Sequence, residues 1–419
     1  MERLPEEAEH RSHLLVHHAT LAGDHELAAR ACIAAGERSL HIFAREEARR
    51  LAERGLTHLD GLPDGEQKVR FHIKLLVIKV HSSRRRGDEG PELANRLQEA
   101  ADAAMTLGLH NEAVSALYAR SWLHYWSHDT RGASQVSLKA EEASRKADQI
   151  TRCHQIANTG FCLLDVEQQG SRALEMIDEA ETIAKTLDVD FVELECARAN
   201  AVRWKGDLDR AHVHMSHALE LTRMRKEHWR EVECLISLAT INLERQKLPS
   251  VEQYCDEIDE IAGRLDHALP PVSAALRVLA QFSACREDLL PELDRALTSL
   301  RDFDDKAHLA YVLNFAAHDA LTLGQYSRAC TAATEALMAA RAMLRTTEVV
   351  VATSILARAE CADGDRLAAV ARLHALVSEC DFETLSARAR ANLERAAHDI
   401  GFALERPPQR QAVHLHESS

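Results

Sequence analysis

Apolar residues recur at three- and four-residue intervals along nearly the whole chain, and such runs stop about every 15 to 22 residues at Gly, Pro or Asp-Gly. Gly23-Asp24, Gly206-Asp207, Gly324-Gln325 and Gly364-Asp365 each close one amphipathic run and open the next. In these pairs Gly suits a left-handed residue after a helix, and Asp suits the N-cap of the helix that follows. At Lys247-Leu248-Pro249 a proline in the first helical turn does related work. The pattern predicts short antiparallel helix hairpins. It excludes a long coiled coil, because a heptad seam would have to run through the breaks. Period-two alternation of apolar and polar residues is not found, so a sheet domain is not expected.

Two small residues seven positions apart on every second helix set the register, because neighbouring helices approach closely there. The first reads Ala94, Ala133, Ala173, Ala211, Val251, Leu289, Ala329 and Ala369, with gaps of 38 to 40 residues. The second reads Ala101, Ala140, Ala180, Ala218, Ile258, Ala296, Ala336 and Leu376. A near-constant period over this length marks a repeat array. Ala28 with Ala35 and Ala48 with Gly55 fit the template at irregular spacing, as a terminal repeat does. The predicted fold is all-α, a right-handed superhelical solenoid of about ten tetratricopeptide-like helix pairs with a period near 40 residues; HEAT-type repeats are the alternative architecture. Four regions are expected: atypical capping repeats over 1–62, a regular array over 63–380, a C-terminal capping helix over 381–404, and a polar, disordered tail over 405–419. The last helix is expected to cover Phe382 to Ile400.

Composition adds constraints on function. A formal charge of −15 disfavours a general nucleic-acid binder, since a phosphate backbone would be repelled. Leu75-Leu76-Val77-Ile78 lies between Lys74 and Lys79 and is too short to span a bilayer, and Met1 to Glu7 carries no apolar core of a secretory signal. A cytoplasmic protein without membrane contact is expected. The ten cysteines are scattered with no Cys-x-x-Cys pair, and are read as reduced, small apolar fillers.

His10, His13 and His17 would share one helical face that could hold a metal, against the simpler reading of a solvated His-rich face; no metal is expected. His212, His214 and His217 form a weaker set, with His214 read as facing away from the other two. Arg84-Arg85-Arg86 reads as a solvated turn or as a contact for an acidic partner. No Gly-x-Ser-x-Gly elbow or kinase signature occurs, so no catalytic residue, cofactor or enzymatic activity is expected.

The aromatic residues concentrate in one place. Tyr118, Trp122, Tyr125 and Trp126 form a stripe on one predicted first helix. Counted back from the small-residue register, they fall on positions that line the concave face of tetratricopeptide units. The corresponding places in the next two repeats include Asn158 and Asp165, then Asn200, Arg203 and Trp204. An aromatic wall beside Asn, Asp and Arg suits a groove for a protein or peptide partner. Ordinary core packing is the competing reading of the same stripe.

The segment from His13 to Asp24, HLLVHHATLAGD, continuing to Ala34-Ala35-Gly36-Glu37-Arg38-Ser39-Leu40, resembles the start of the helical repeats in MalT-type and LuxR-type regulators with signal-transduction ATPase modules. It is also similar to the repeat region of ATPase modules linked to class III adenylate cyclases. The resemblance implies a sensor array that binds a protein or peptide, with a small-molecule inducer as the alternative ligand. The chain departs from that family in having no Gly-x-x-x-x-Gly-Lys-Ser/Thr, so ATPase activity does not carry over. Either an excised C-terminal portion of such a regulator or a short reading frame that kept only the sensor array is expected.

Overall fold

The computed structural model describes residues 14–42, 44–82, 90–265, 271–283 and 289–404. Helices succeed one another throughout, with no strand among the described residues. The first, α1, covers 14–21. It is followed by α2 (His25–His41), α3 (Arg45–His58), α4 (Glu66–Ser82), α5 (Gly90–Thr106), α6 (His110–Trp126) and α7 (Thr130–Ser144). Next come α8 (Gln149–Asp165), α9 (Gly170–Leu187), α10 (Val192–Trp204), α11 (Leu208–Arg225), α12 (His228–Glu244), α13 (Leu248–Leu265), α14 (Val272–Ser283) and α15 (Leu290–Asp302). The last five are α16 (Lys306–Thr322), α17 (Tyr326–Ala342), α18 (Thr346–Ala362), α19 (Arg366–Glu379) and α20 (Ala387–Ile400). No helix among the described residues is long and apolar enough to cross a membrane.

The chain forms two compact units, Met1–Leu309 with Ala342–Arg345, and Ala310–Arg341 with Thr346–Ser419. In the first unit each even-numbered helix from α2 to α14 packs against the odd-numbered helix after it as a hairpin. In the second, Ala320 of α16, Ala329 of α17 and Ala359 of α18 share a core, and α18 packs against both α19 and α20.

The turns follow local chemistry. Gly23, Gly206, Gly324 and Gly364 have φ of 69°, 92°, 74° and 101°. The Asp24, Asp207 and Asp365 side chains accept the N–H groups of Leu27, Arg210 and Ala368. Where Gly is missing, His128, Lys226, Gln246, Asp304 and Leu344 take the left-handed conformation instead. At the proline-marked turn Gln246 does so with φ 58°, and Pro249 lies in the first turn of α13.

The small-residue register lies in the core. Ala133, Ala140, Ala173, Ala180, Ala211, Ala218, Val251, Ile258, Ala329, Ala336 and Ala369 are all 0% exposed. The first-helix side of these crossings is as tight at Gly160, where an added Cβ would come 2.6 Å from Ile177 Cγ1 and 3.0 Å from the Ala173 carbonyl oxygen. Leu289 departs from the register: α15 begins at Leu290, so Leu289 is its half-buried cap and Leu293, Ala296, Leu297 and Leu300 carry the buried face. The final helix is also shorter than expected. Phe382–Thr384 forms a separate single turn, and α20 starts after Ser386, whose side chain accepts the Ala389 N–H as an N-cap.

Candidate functional site

Helix α6 has two unlike faces. Ala113, Val114, Ala116, Leu117 and Ala119 are buried in a core cluster shared with α4, α5 and α7. On another face Tyr118, Trp122 and Tyr125 stand in a row at i, i+4 and i+7, all half-buried. The rings of Tyr118 and Trp122 meet at 6.1 Å and 87°, and those of Trp122 and Tyr125 at 5.3 Å and 80°. They wall a pocket, partly open to solvent, whose other lining residues are Ser121 of α6, Ser137 of α7, and Asn158, Phe161 and Cys162 of α8. Burial pushes the Tyr118 hydroxyl up to about 12, so it stays a neutral phenol at physiological pH. Burial also pushes the Cys162 thiol up to about 12, which removes the thiolate a nucleophile would need.

A polar relay runs from the pocket to the buried Glu193. Asn158 Nδ2 lies 3.3 Å from His154 Nδ1, and His154 Nε2 lies 2.8 Å from Glu193 Oε2 of α10. Arg230 of α12 pairs with Glu193 and stacks 4.8 Å over Trp229. Burial opposes ionisation of Glu193, but Arg230 and His154 outweigh it and hold its carboxyl well below the usual range. Beyond Tyr125 lie Asp165, with Arg345 Nη2 at 3.0 Å, and Asp305, with His308 Nδ1 at 2.7 Å.

The residues expected from the sequence divide. Tyr118, Trp122, Tyr125 and Asn158 line the pocket, and Asp165 sits beside Tyr125. Trp126 does not line it: its ring packs on the core cluster, 5.6 Å from Trp122 and 6.3 Å from His81. Arg203 is held by Glu244 of α12, with Nη2 2.6 Å from Oε1. Trp204 packs on the core cluster of α8 to α10, over Gly170 at the start of α9. Asn200 is half-buried on α10, outside the pocket lining.

Phe161, Ser121 and the His154–Glu193–Arg230 relay were not legible as site residues. Glu193 follows Asn158 by 35 residues, close to one repeat, but the relay's other members have no shared spacing.

The second histidine constellation resolves differently from expectation. His214 and His217 both approach Glu195, at 2.8 and 3.6 Å, whereas His212 lies 3.2 Å from the Tyr254 hydroxyl. The residue that faces apart is therefore His212, since an i, i+3 pair shares a face and an i, i+2 pair does not. No group of three or more potential metal ligands occurs among the described residues. His10 and His13, Arg84 to Arg86 and the tail over 405–419 lie outside the described residues.

No family model and no curated protein matches the chain. Among solved structures it is similar to a Rap protein complexed with competence and sporulation factor, at 12% identity and a TM-score of 0.58, covering 88% of this chain and 99% of that one. It is also similar to the apo form of RapI, at 15% identity and a TM-score of 0.50, covering 65% of this chain and 99% of that one. A more distant likeness, with a TM-score of 0.44 and 12% identity, is to a signal-transduction ATPase with a tetratricopeptide repeat sensor from Pyrococcus horikoshii, covering 79% of this chain and 52% of that one. At these identities the likeness is one of fold: the chain is an all-α array of tetratricopeptide-like helix pairs.

Proposed function

We propose that this chain is a binding scaffold rather than an enzyme, and that it captures a peptide or an extended protein segment in the aromatic pocket between α6 and α8. The observation that carries the reading is the open pocket itself: ring walls from Tyr118, Trp122, Tyr125 and Phe161, one amide held by a polar relay, and no charged side chain in its lining. Such a lining buries an anchor side chain and offers hydrogen bonds to the segment bearing it. Support also comes from the Rap protein, which has the same kind of fold and was solved in complex with competence and sporulation factor. The resemblance of HLLVHHATLAGD to the repeat junction of MalT-type and LuxR-type regulators supports the further reading that the scaffold belongs to a bacterial signal-transduction protein acting in the cytoplasm.

The test is selection of binders from a random-peptide library by the full chain, followed by affinity measurement on the parent and on Trp122→Ala. The expectation is a sequence-restricted set whose affinity falls at least about tenfold in the variant. Failure to select any peptide, or selected peptides that bind Trp122→Ala as tightly as the parent, would overturn the proposal.

A further inference from the structure

The hydrogen bonds behind the pocket fix what kind of polar group it can receive. An amide nitrogen can only donate, so at 3.3 Å from Asn158 Nδ2 the His154 Nδ1 is the acceptor. Asn158 must then offer its Nδ2 to His154, which leaves its carbonyl oxygen to accept from an occupant. Ser121 Oγ donates its one proton to the Tyr118 carbonyl at 2.7 Å, so toward the pocket it too is an acceptor. These two groups and the π faces of Tyr118, Trp122 and Tyr125 all favour a positively charged donor.

The surroundings agree with this polarity. Glu193 and Glu233 act on Tyr118, and Asp165 and Asp305 on Tyr125, against the two guanidinium groups of Arg230 and Arg345. His154 and His308 face Glu193 and Asp305 as well. The second unit shows the same chemistry already filled: Arg388 lies 4.8 Å over the Tyr311 ring and 5.2 Å over that of Phe315, beside Asn314 and Glu348.

We propose that the pocket between α6 and α8 receives a cationic side chain of the bound peptide, an arginine guanidinium above all, seated against Trp122 and donating to the Asn158 carbonyl oxygen. This rests on the reading of the groove as a peptide site and names the anchor that it selects. Arginine fits better than a quaternary ammonium because the acceptors require N–H groups, and its planar, weakly hydrated head stacks on aromatic faces.

The chain has four tryptophans, so the full-length protein labelled with 5-fluorotryptophan gives four fluorine resonances, each assignable by a single Trp→Phe change. N-acetyl-arginine amide, its neutral isostere N-acetyl-citrulline amide and N-acetyl-leucine amide are titrated separately. The expected result is a saturable shift of the Trp122 resonance, with arginine binding at least about fivefold more tightly than citrulline. Asn158→Leu should weaken the arginine amide about threefold or more and leave the leucine amide no weaker. Should that variant fail to fold, the three-ligand comparison on the parent stands alone. Equal or tighter binding of citrulline or leucine amide at Trp122 would overturn the cationic anchor while leaving the groove reading intact. If none of the three moves the Trp122 resonance, this inference falls, and the library selection then judges the groove reading separately.

Discussion

Asn158 of α8 and Asn314 of α16 occupy the same place in their repeats, each fifteen residues before the first small residue of the helix that follows, Ala173 and Ala329. Their surroundings make them opposites. Asn314 is 1% exposed, and its Nδ2 donates to Glu348 Oε2 at 2.7 Å, beneath a guanidinium that covers two aromatic rings. Asn158 is 8% exposed, is oriented by an imidazole, and looks into a pocket walled by four rings. A repeat position is therefore a place, not a role. What decides the role is whether a later helix of the same unit supplies a side chain to fill the space, as α20 does with Arg388.

The largest expected effect separates the filled site from the open one. Arg388→Ala would leave the buried Glu348 carboxylate uncompensated and should cost about 3 to 5 kcal/mol. Asn158→Leu, at the open site, should cost about 1 kcal/mol. Urea denaturation followed by circular dichroism measures both, and losses of similar size would break the comparison.

Both regions rest on the same close helix contacts, which gives a control of intermediate size. Ala218→Leu in the first unit and Ala336→Leu in the second each overpack a fully buried position and should cost about 1 to 3 kcal/mol. Unchanged melting of either variant would show that its contact is not tight.

Two histidines of α16 sharpen the contrast through pH. Burial works against the charged form of His308, but Asp305 outweighs it and raises its pKa above the ordinary value. Its stabilising contribution is then fully present below the unfolded pKa and is lost as pH rises through the folded one. His318 is driven down to about 4 by burial and by Arg358 and Arg395. The unfolded chain takes up that proton first, so stability falls as pH drops from about 6.5 toward 4. His318→Gln should flatten the acid limb of a urea-midpoint profile, and His308→Gln the limb above the ordinary histidine pKa; the reverse assignment would refute both environments.

The smallest effects lie in the turns. Gly324→Ala places a Cβ at φ 74° and should cost about 1 kcal/mol, while Gln246→Gly should relieve φ 58° and stabilise by a similar or smaller amount. Melting temperatures that move in the opposite directions would mean that these turns rearrange freely.

Much of the helix arrangement could be read in advance because its determinants are local or periodic. A Gly-Asp pair ends and restarts a helix through its own backbone and side chain, and a small residue every 40 positions is needed wherever two helices touch. Leu289 escaped that logic, since Pro291 and the start of α15 at Leu290 set its surroundings more than the period did. The non-glycine turn residues escaped too: Lys226 and Leu344 have no strong preference for positive φ and are held there by the helices on either side.

For the pocket the sequence determined less. Four apolar or aromatic residues at i, i+4, i+7 and i+8 establish an aromatic stripe, and helical geometry alone places Tyr118, Trp122 and Tyr125 within reach of one another. That the stripe divides, with Trp126 turned onto the core and His81 while the other three face open space, depended on where α4 and α8 lie beside α6. The same holds for Asn158, whose amide is oriented by a chain of partners on α8, α10 and α12, 4, 35 and 72 residues away in sequence. Periodicity records which face of a helix is apolar, but which atoms meet across that face depends on distances between residues far apart in the chain, and only packing decides those.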